Sequence, residues 1–120
     1  MSESRLSDYL DHMTQATANA CSFVEGQIKD DFLADKRTQQ AVIMSLIIIG
    51  EAATKIMERY PDFVESHPEV MWRSMRGMRN RIAHGYFQID LDVVWETMRT
   101  ALPELQKQLP SLLDVSGRVA

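Results

Sequence analysis

From Ala41 to Ile49 the chain reads Ala-Val-Ile-Met-Ser-Leu-Ile-Ile-Ile, apolar on every side of whatever element it forms. A segment of that kind must be covered all round. A chain of 120 residues holds one domain with one core. The run therefore dictates a central element, an interface with a second copy, or both. Its β-branched residues would suit a strand, but the flanks Gln39-Gln40 and Glu51-Ala52-Ala53 favour helix. A helix is expected from about Lys36 to Arg59. The apolar run, about ten residues, is too short to span a bilayer, and no membrane segment is expected.

Helical periodicity organises the rest. Leu6, Tyr9, Leu10, Met13, Ala16, Thr17, Ala20, Phe23, Val24 and Ile28 recur at three- and four-residue steps and predict a first helix from about Ser4 to Ile28. Asp30, Asp31 and Asp35 mark a short connection. Tyr60-Pro61-Asp62 breaks the pattern, and a loop or short helix follows around Asp62 to Ser66. Pro68 suits the first turn of a third helix ending at His84, with Gly85 as its stop. Tyr86 to Ile89 form a connection. Asp90 can N-cap a fourth helix from Leu91 to about Leu109, which Pro103 should kink or divide. The expected architecture is all-α, a four-helix up-and-down bundle over residues 1–110, with residues 111–120 a flexible tail.

The formal charge of −4 argues against a general nucleic-acid binder held by phosphate neutralisation. Its distribution matters more than the sum. Between Glu69 and Asp90 there is no acidic residue, yet Arg73, Arg76, Arg79 and Arg81 all lie there, so an anionic ligand should bind that segment. Cys21 is alone, which leaves no intrachain disulfide and no cysteine-based metal site. The polar start, Met1-Ser2-Glu3-Ser4-Arg5, does not resemble a signal peptide, and a cytoplasmic location is expected.

Placed on a helix at about 100° per residue, Met71, Met75, Met78 and Ile82 fall within about 60° of one another and are expected to be the buried stripe. Arg73, Arg76, Asn80 and His84 lie opposite within about 80°, with Arg79 at one edge of this polar face and Arg81 at the other. Imidazole is the side chain suited to moving protons near neutral pH. Arg79 can hold a phosphodiester in bidentate fashion and stabilise charge building on it. Asn80 can hydrogen-bond to the ring or to a phosphate oxygen, and Arg73 and Arg76 are candidate substrate contacts. Arg79 and His84 are five positions apart, about 140° on a straight helix. The arginine's length, a loosened last turn or a second subunit must bring them together.

Other candidates are weaker. His12 and His67 have no matching carboxylate cluster, so no metal site is expected. Neither a nucleophile elbow nor a Gly-rich phosphate loop occurs, and no cofactor is expected. Trp72 and Trp95 are better read as packing residues than as base-stacking ones.

The string Arg79-Asn80-Arg81-Ile82-Ala83-His84-Gly85-Tyr86 resembles the RxxxxHxY signature of HepT-like toxins of the HEPN superfamily. Ile49-Gly50-Glu51-Ala52-Ala53 is similar to the IGEA segment that the family carries on its second helix. Tyr86-Phe87-Gln88-Ile89-Asp90, followed by Val93-Val94-Trp95, also looks family-like. The likeness extends from the first helix to about Leu109. It implies a helical homodimer with the motif helices facing across a shared cleft. It also implies an endoribonuclease that works without metal, with Arg79 and His84 as the catalytic pair and a 2′,3′-cyclic phosphate as product. The implied partner is a minimal nucleotidyltransferase antitoxin that adenylylates Tyr86, placing negatively charged AMP in the path of the RNA substrate. Glu51 admits two readings, an exposed pair with Lys55 four residues on or a carboxylate that points into the cleft and orients Arg79.

Two other classes compete. A catalytically silent helical module that binds nucleotide or a partner would need the basic face but no competent histidine. A purely structural dimeric bundle would leave the Arg/Asn/His face without a purpose.

Overall fold

In the computed structural model, which describes residues 5–119, the described chain is helical and contains no strand. In chain order come α1 (Arg5–Phe23), short α2 (Lys29–Leu33), α3 (Lys36–Arg59), short α4 (Pro61–Ser66) and α5 (Trp72–His84). A 3-10 turn at Tyr86–Gln88 leads to α6 (Leu91–Glu96), which passes through a π turn (Thr97–Ala101) into α7 (Leu102–Val119). The long rods are α1, α3, α5 and the continuous α6–α7, which makes the domain the expected all-α bundle.

The central place belongs to α3, which packs against both α1 and α5, while α7 lies along α1. Its bounds are the expected ones. Asp35 caps the start by accepting from the Thr38 backbone N–H at 3.1 Å and from the Thr38 hydroxyl at 2.6 Å. Val42, Ile43, Leu46, Ile49, Ala52, Ala53 and Ile56 are all buried. The apolar run alone is short, yet the whole of α3 is long and apolar enough to cross a membrane, and 56% of that apolar window is buried inside the fold. Cover is incomplete on one side, where Met44 is 57% and Ile48 39% exposed.

Four expectations are corrected. The first helix ends at Phe23 rather than Ile28, because Gly26 takes a left-handed φ of 81° that turns the chain. The Ile28 N–H is then taken by the Asp31 carboxylate at 3.1 Å, which starts α2. Phe32 of α2 fills the core instead, its ring 5.4 Å from that of Trp95. The third helix starts at Trp72, not Pro68: the indole N–H donates to the His67 carbonyl at 3.1 Å and holds a turn ahead of it.

The buried face of α5 is also rotated. Met71 is exposed and Met75 and Met78 only half-buried, whereas Trp72 and Ile82 are fully buried. The face turned to α3 is centred near Arg79, about 70° from the centre of the methionine stripe. Finally, α7 continues straight through Pro110 to Val119, so the segment expected to be a loose tail is helical, with Leu109 and Leu112 each 1% exposed. The earlier proline does leave a mark. Pro103 lacks the N–H that would bond to Arg99, and the preceding residues widen into the π turn.

Candidate active site

Gly50 sets how closely α5 approaches α3. A Cβ there would overlap the Cβ of Arg79 and come 2.8 Å from the Met75 carbonyl oxygen. With glycine in place, the root of Arg79 presses against the α3 backbone, and its side chain, 23% exposed, runs out along that helix. There its Nε lies 3.2 Å from Glu51 Oε2. The Nε–H is not aimed at that oxygen and finds no hydrogen-bond acceptor, so the contact is an ion pair without hydrogen-bond alignment. The opposite edge of the guanidinium is fixed by a bond from Nη1 to Asn80 Oδ1 at 2.9 Å. Glu51, Arg79 and Asn80 thus form one connected group, and the contact of Glu51 is with Arg79 rather than Lys55.

His84 is the last residue of α5, exposed, with no hydrogen-bond or ionic partner for its ring among the described residues. Gly85 closes the helix by donating to the Arg81 carbonyl at 3.1 Å. Its φ of −143° shows that the stop does not use a left-handed residue. No hydrogen bond joins Arg79 to His84 within one chain. Arg73, Arg76 and Arg81 have no carboxylate partner among the described residues, so their charge is uncompensated. Tyr86 is 47% exposed, and its ring meets that of Phe87 edge-on at 5.8 Å.

A cavity of about 430 Å³ lies elsewhere. It is an apolar groove between α5 and α6–α7, floored by Leu46 and Ile49 and walled by Met71, Met75 and Met78. Cavity size is therefore no guide to the polar group, which sits on an open surface. A smaller hollow of about 220 Å³ borders Glu51 and is lined by Tyr9, His12, Ile48 and Lys55. Among the described residues no His, Cys, Asp and Glu side chains cluster as metal ligands would.

Two features escaped the sequence reading. Gly50 was noted only as part of a motif, although its lack of a side chain is what lets Arg79 settle on α3. Phe87, 98% exposed beside Tyr86, was likewise noted only as part of a motif, because an aromatic in a connecting turn carries no periodic signal.

The model of the family described as Ribonuclease HepT-like matches residues 13–112. A protein named "Probable ribonuclease HepT" from Thermococcus cleftensis is 40% identical over 105 residues, 88% of this chain and 93% of its own length. A relative from Caldanaerobacter subterraneus subsp. tengcongensis, provisionally named an RNase, is 35% identical over 88% of this chain and 91% of its own length. Another with a provisional RNase name, from Methanocaldococcus jannaschii, is 31% identical over 94% of this chain and 88% of its own length. No solved structure matches. The matched span runs from α1 into α7 and includes Gly50, Glu51 and the whole Arg79–Tyr86 string, and the chain belongs to the ribonuclease HepT-like family.

Proposed function

We propose that the chain is a metal-independent endoribonuclease, the toxin of a toxin–antitoxin pair, acting in the cytoplasm through Arg79 and His84. One observation carries the reading. A guanidinium is anchored by Gly50, Glu51 and Asn80, an unpartnered imidazole ends the same helix, and no acidic residue occurs between Glu69 and Asp90. The family's name and the RNase names of the relatives point the same way.

In the proposed reaction the ribose 2′-oxygen attacks the adjacent phosphorus as its proton passes to an imidazole. The phosphorus–O5′ bond breaks and O5′ takes up a proton, leaving a 2′,3′-cyclic phosphate and a 5′-hydroxyl. His84 moves the proton, and Arg79 stabilises charge on the phosphorane oxygens. Asn80 keeps the guanidinium in place, and Arg73 and Arg76 hold flanking phosphates.

The active form is a homodimer. No hydrogen bond joins Arg79 to His84 in one chain, and in the proposed dimer the motif helices of two copies face each other across one cleft. Met44, Ile48, Glu51 and Lys55 share a face of α3 within about 60°. The exposed apolar pair therefore runs up to the Arg79–Glu51 contact and offers a surface for the second copy. A minimal nucleotidyltransferase silences the enzyme: the Tyr86 hydroxyl attacks the α-phosphorus of ATP and pyrophosphate leaves. Tyr86 is exposed enough for that transfer.

The deciding experiment is cleavage of RNA in EDTA by wild type, His84→Ala and Arg79→Ala. Loss of cleavage in both variants with a wild-type circular dichroism spectrum is the expected result, and an equally active His84→Ala protein overturns it. Light scattering should return a dimer mass. Intact-mass spectrometry after co-expression with the nucleotidyltransferase should add AMP to wild type and not to Tyr86→Phe.

A further inference from the structure

Resting on the cleavage reading above, we infer that Phe87 is a platform on which an unpaired base beside the scissile phosphate stacks, so that the substrate is single-stranded RNA at that point. The Phe87 ring is 98% exposed, more than any other large apolar side chain among the described residues. It is nevertheless mounted firmly. The 3-10 turn that carries it is closed by Gln88 N–H to the Gly85 carbonyl at 2.9 Å and Ile89 N–H to the Tyr86 carbonyl at 3.4 Å. The Tyr86 ring backs it edge-on at 5.8 Å. The ordered turn fixes the backbone that carries the ring, so a flat partner stacking on it has only side-chain rotation to restrict.

The surroundings favour a nucleobase over a protein. A hydrophobic anchor for a protein partner sits in a broader apolar patch. Phe87 instead follows the cationic segment, whose Arg73, Arg76 and Arg81 have no carboxylate partners among the described residues, and its neighbour Gln88 is exposed. The acidic groups that come next are engaged: the Asp90 carboxylate accepts from the backbone N–H groups of Asp92 and Val93, and Asp92 pairs with Lys29 at 2.9 Å. A basic helix that leads into an exposed aromatic ring is a combination that single-stranded nucleic acid uses. Phe87 lies three residues after His84, so their Cα atoms are at most about 11 Å apart. A base on the ring therefore belongs to a nucleotide at or next to the reacting phosphate. Bases in an A-form duplex are stacked internally and out of reach of such a ring. Phenylalanine has no polar atom with which to read a base edge, so the platform selects for an unpaired base rather than for one sequence.

The test uses the full-length His84→Ala protein, which keeps RNA intact, and a fluorescein-labelled single-stranded oligoribonucleotide followed by anisotropy at fixed salt. Adding Phe87→Ala is expected to weaken binding about tenfold. Phe87→Trp is expected to restore it, with tryptophan emission quenched by RNA. Trp72 and Trp95 are buried and supply a constant background that the protein without the Phe87 substitution reports. A duplex of the same sequence should bind equally with and without Phe87. Unchanged single-strand affinity in Phe87→Ala, an unquenched Phe87→Trp, or no binding by His84→Ala itself each overturns the platform. So does a change of mass on light scattering in Phe87→Ala, which would assign the ring to a protein interface. Wild-type cleavage measured alongside separates the two readings: RNA cut equally well by wild type and Phe87→Ala sinks the platform alone, whereas no cleavage by wild type sinks the enzyme.

Discussion

Gly50 and Arg79 occupy one contact point between α3 and α5, and the absence of a side chain on the first is what admits the second. A methyl group at position 50 would overlap the Arg79 Cβ and crowd the Met75 carbonyl, so the two helices must separate or tilt. Gly50→Ala is expected to cost about 1–3 kcal/mol and to lower the melting temperature by several degrees. RNA cleavage should fall further than stability does, because Arg79 moves with its helix. Gly77 is the control, in the same α5 with open space around it. Gly77→Ala should raise stability by about 0.5–1 kcal/mol through helix propensity. Thermal unfolding by circular dichroism reads both, and a neutral Gly50→Ala would show that the close approach is dispensable.

Much of this contact was legible in sequence, though not its geometry. The apolar run, with its helix-favouring flanks, pointed to α3 at its observed bounds, and of the two places such a helix can go, the centre or an interface, most of its apolar residues take the centre. The site string, read as a motif, lies at the end of α5 as expected. What periodicity missed was the facing of α5. Counting methionines as core placed Arg79 at the edge of the polar face, whereas the glycine on the neighbouring helix draws the arginine's root inward and leaves Met71 in solvent. Long-range complementarity of that kind has no periodic trace. The end of the chain was misjudged for a related reason. The fourth helix was expected to end about Leu109, but α7 continues along α1 with Leu109 and Leu112 buried, and tertiary burial outweighs the backbone bond lost at Pro110.

That packing is measurable. Leu112 is 1% exposed, and Ser116, 2% exposed, lies with its hydroxyl 3.4 Å from that of Ser7. Leu112→Ala is expected to cost about 2–5 kcal/mol, and truncation after Leu109 at least as much. Urea unfolding checks both. A truncated chain with the wild-type midpoint would mean that the last turns of α7 add nothing to the fold.

Acid should weaken the start of α3. The Thr38 hydroxyl, then the Thr38 backbone N–H, and further the Gln27 amide and nearby Arg37 hold the Asp35 carboxyl below its ordinary 3.8. A depressed folded value means that the carboxylate's stabilising effect is fully present above 3.8 and is lost as pH falls through the lower folded value. Melting temperatures of wild type and Asp35→Asn should therefore differ at neutral pH and converge in acid. Parallel curves down to the lowest pH would show that the charge on this cap does not matter.

Glu51 separates an electrostatic role from a structural one. Its carboxylate is 3.2 Å from Arg79 Nε but half exposed, and ion pairs of that exposure contribute about 0–1 kcal/mol to stability. Glu51→Gln is therefore expected to leave the melting temperature within a degree or two of wild type. Its effect on cleavage should be larger, about three- to thirtyfold in kcat with little change in KM, because in the proposed reaction the guanidinium must be drawn along α3 to meet the phosphorane. Lys55, the other candidate partner of Glu51, makes no ion pair with it, and Lys55→Ala should leave kcat unchanged. Steady-state cleavage of a fluorogenic oligoribonucleotide gives both constants. Equal losses in Glu51→Gln and Lys55→Ala, or none in either, would show that Glu51 does not position Arg79 for the reaction.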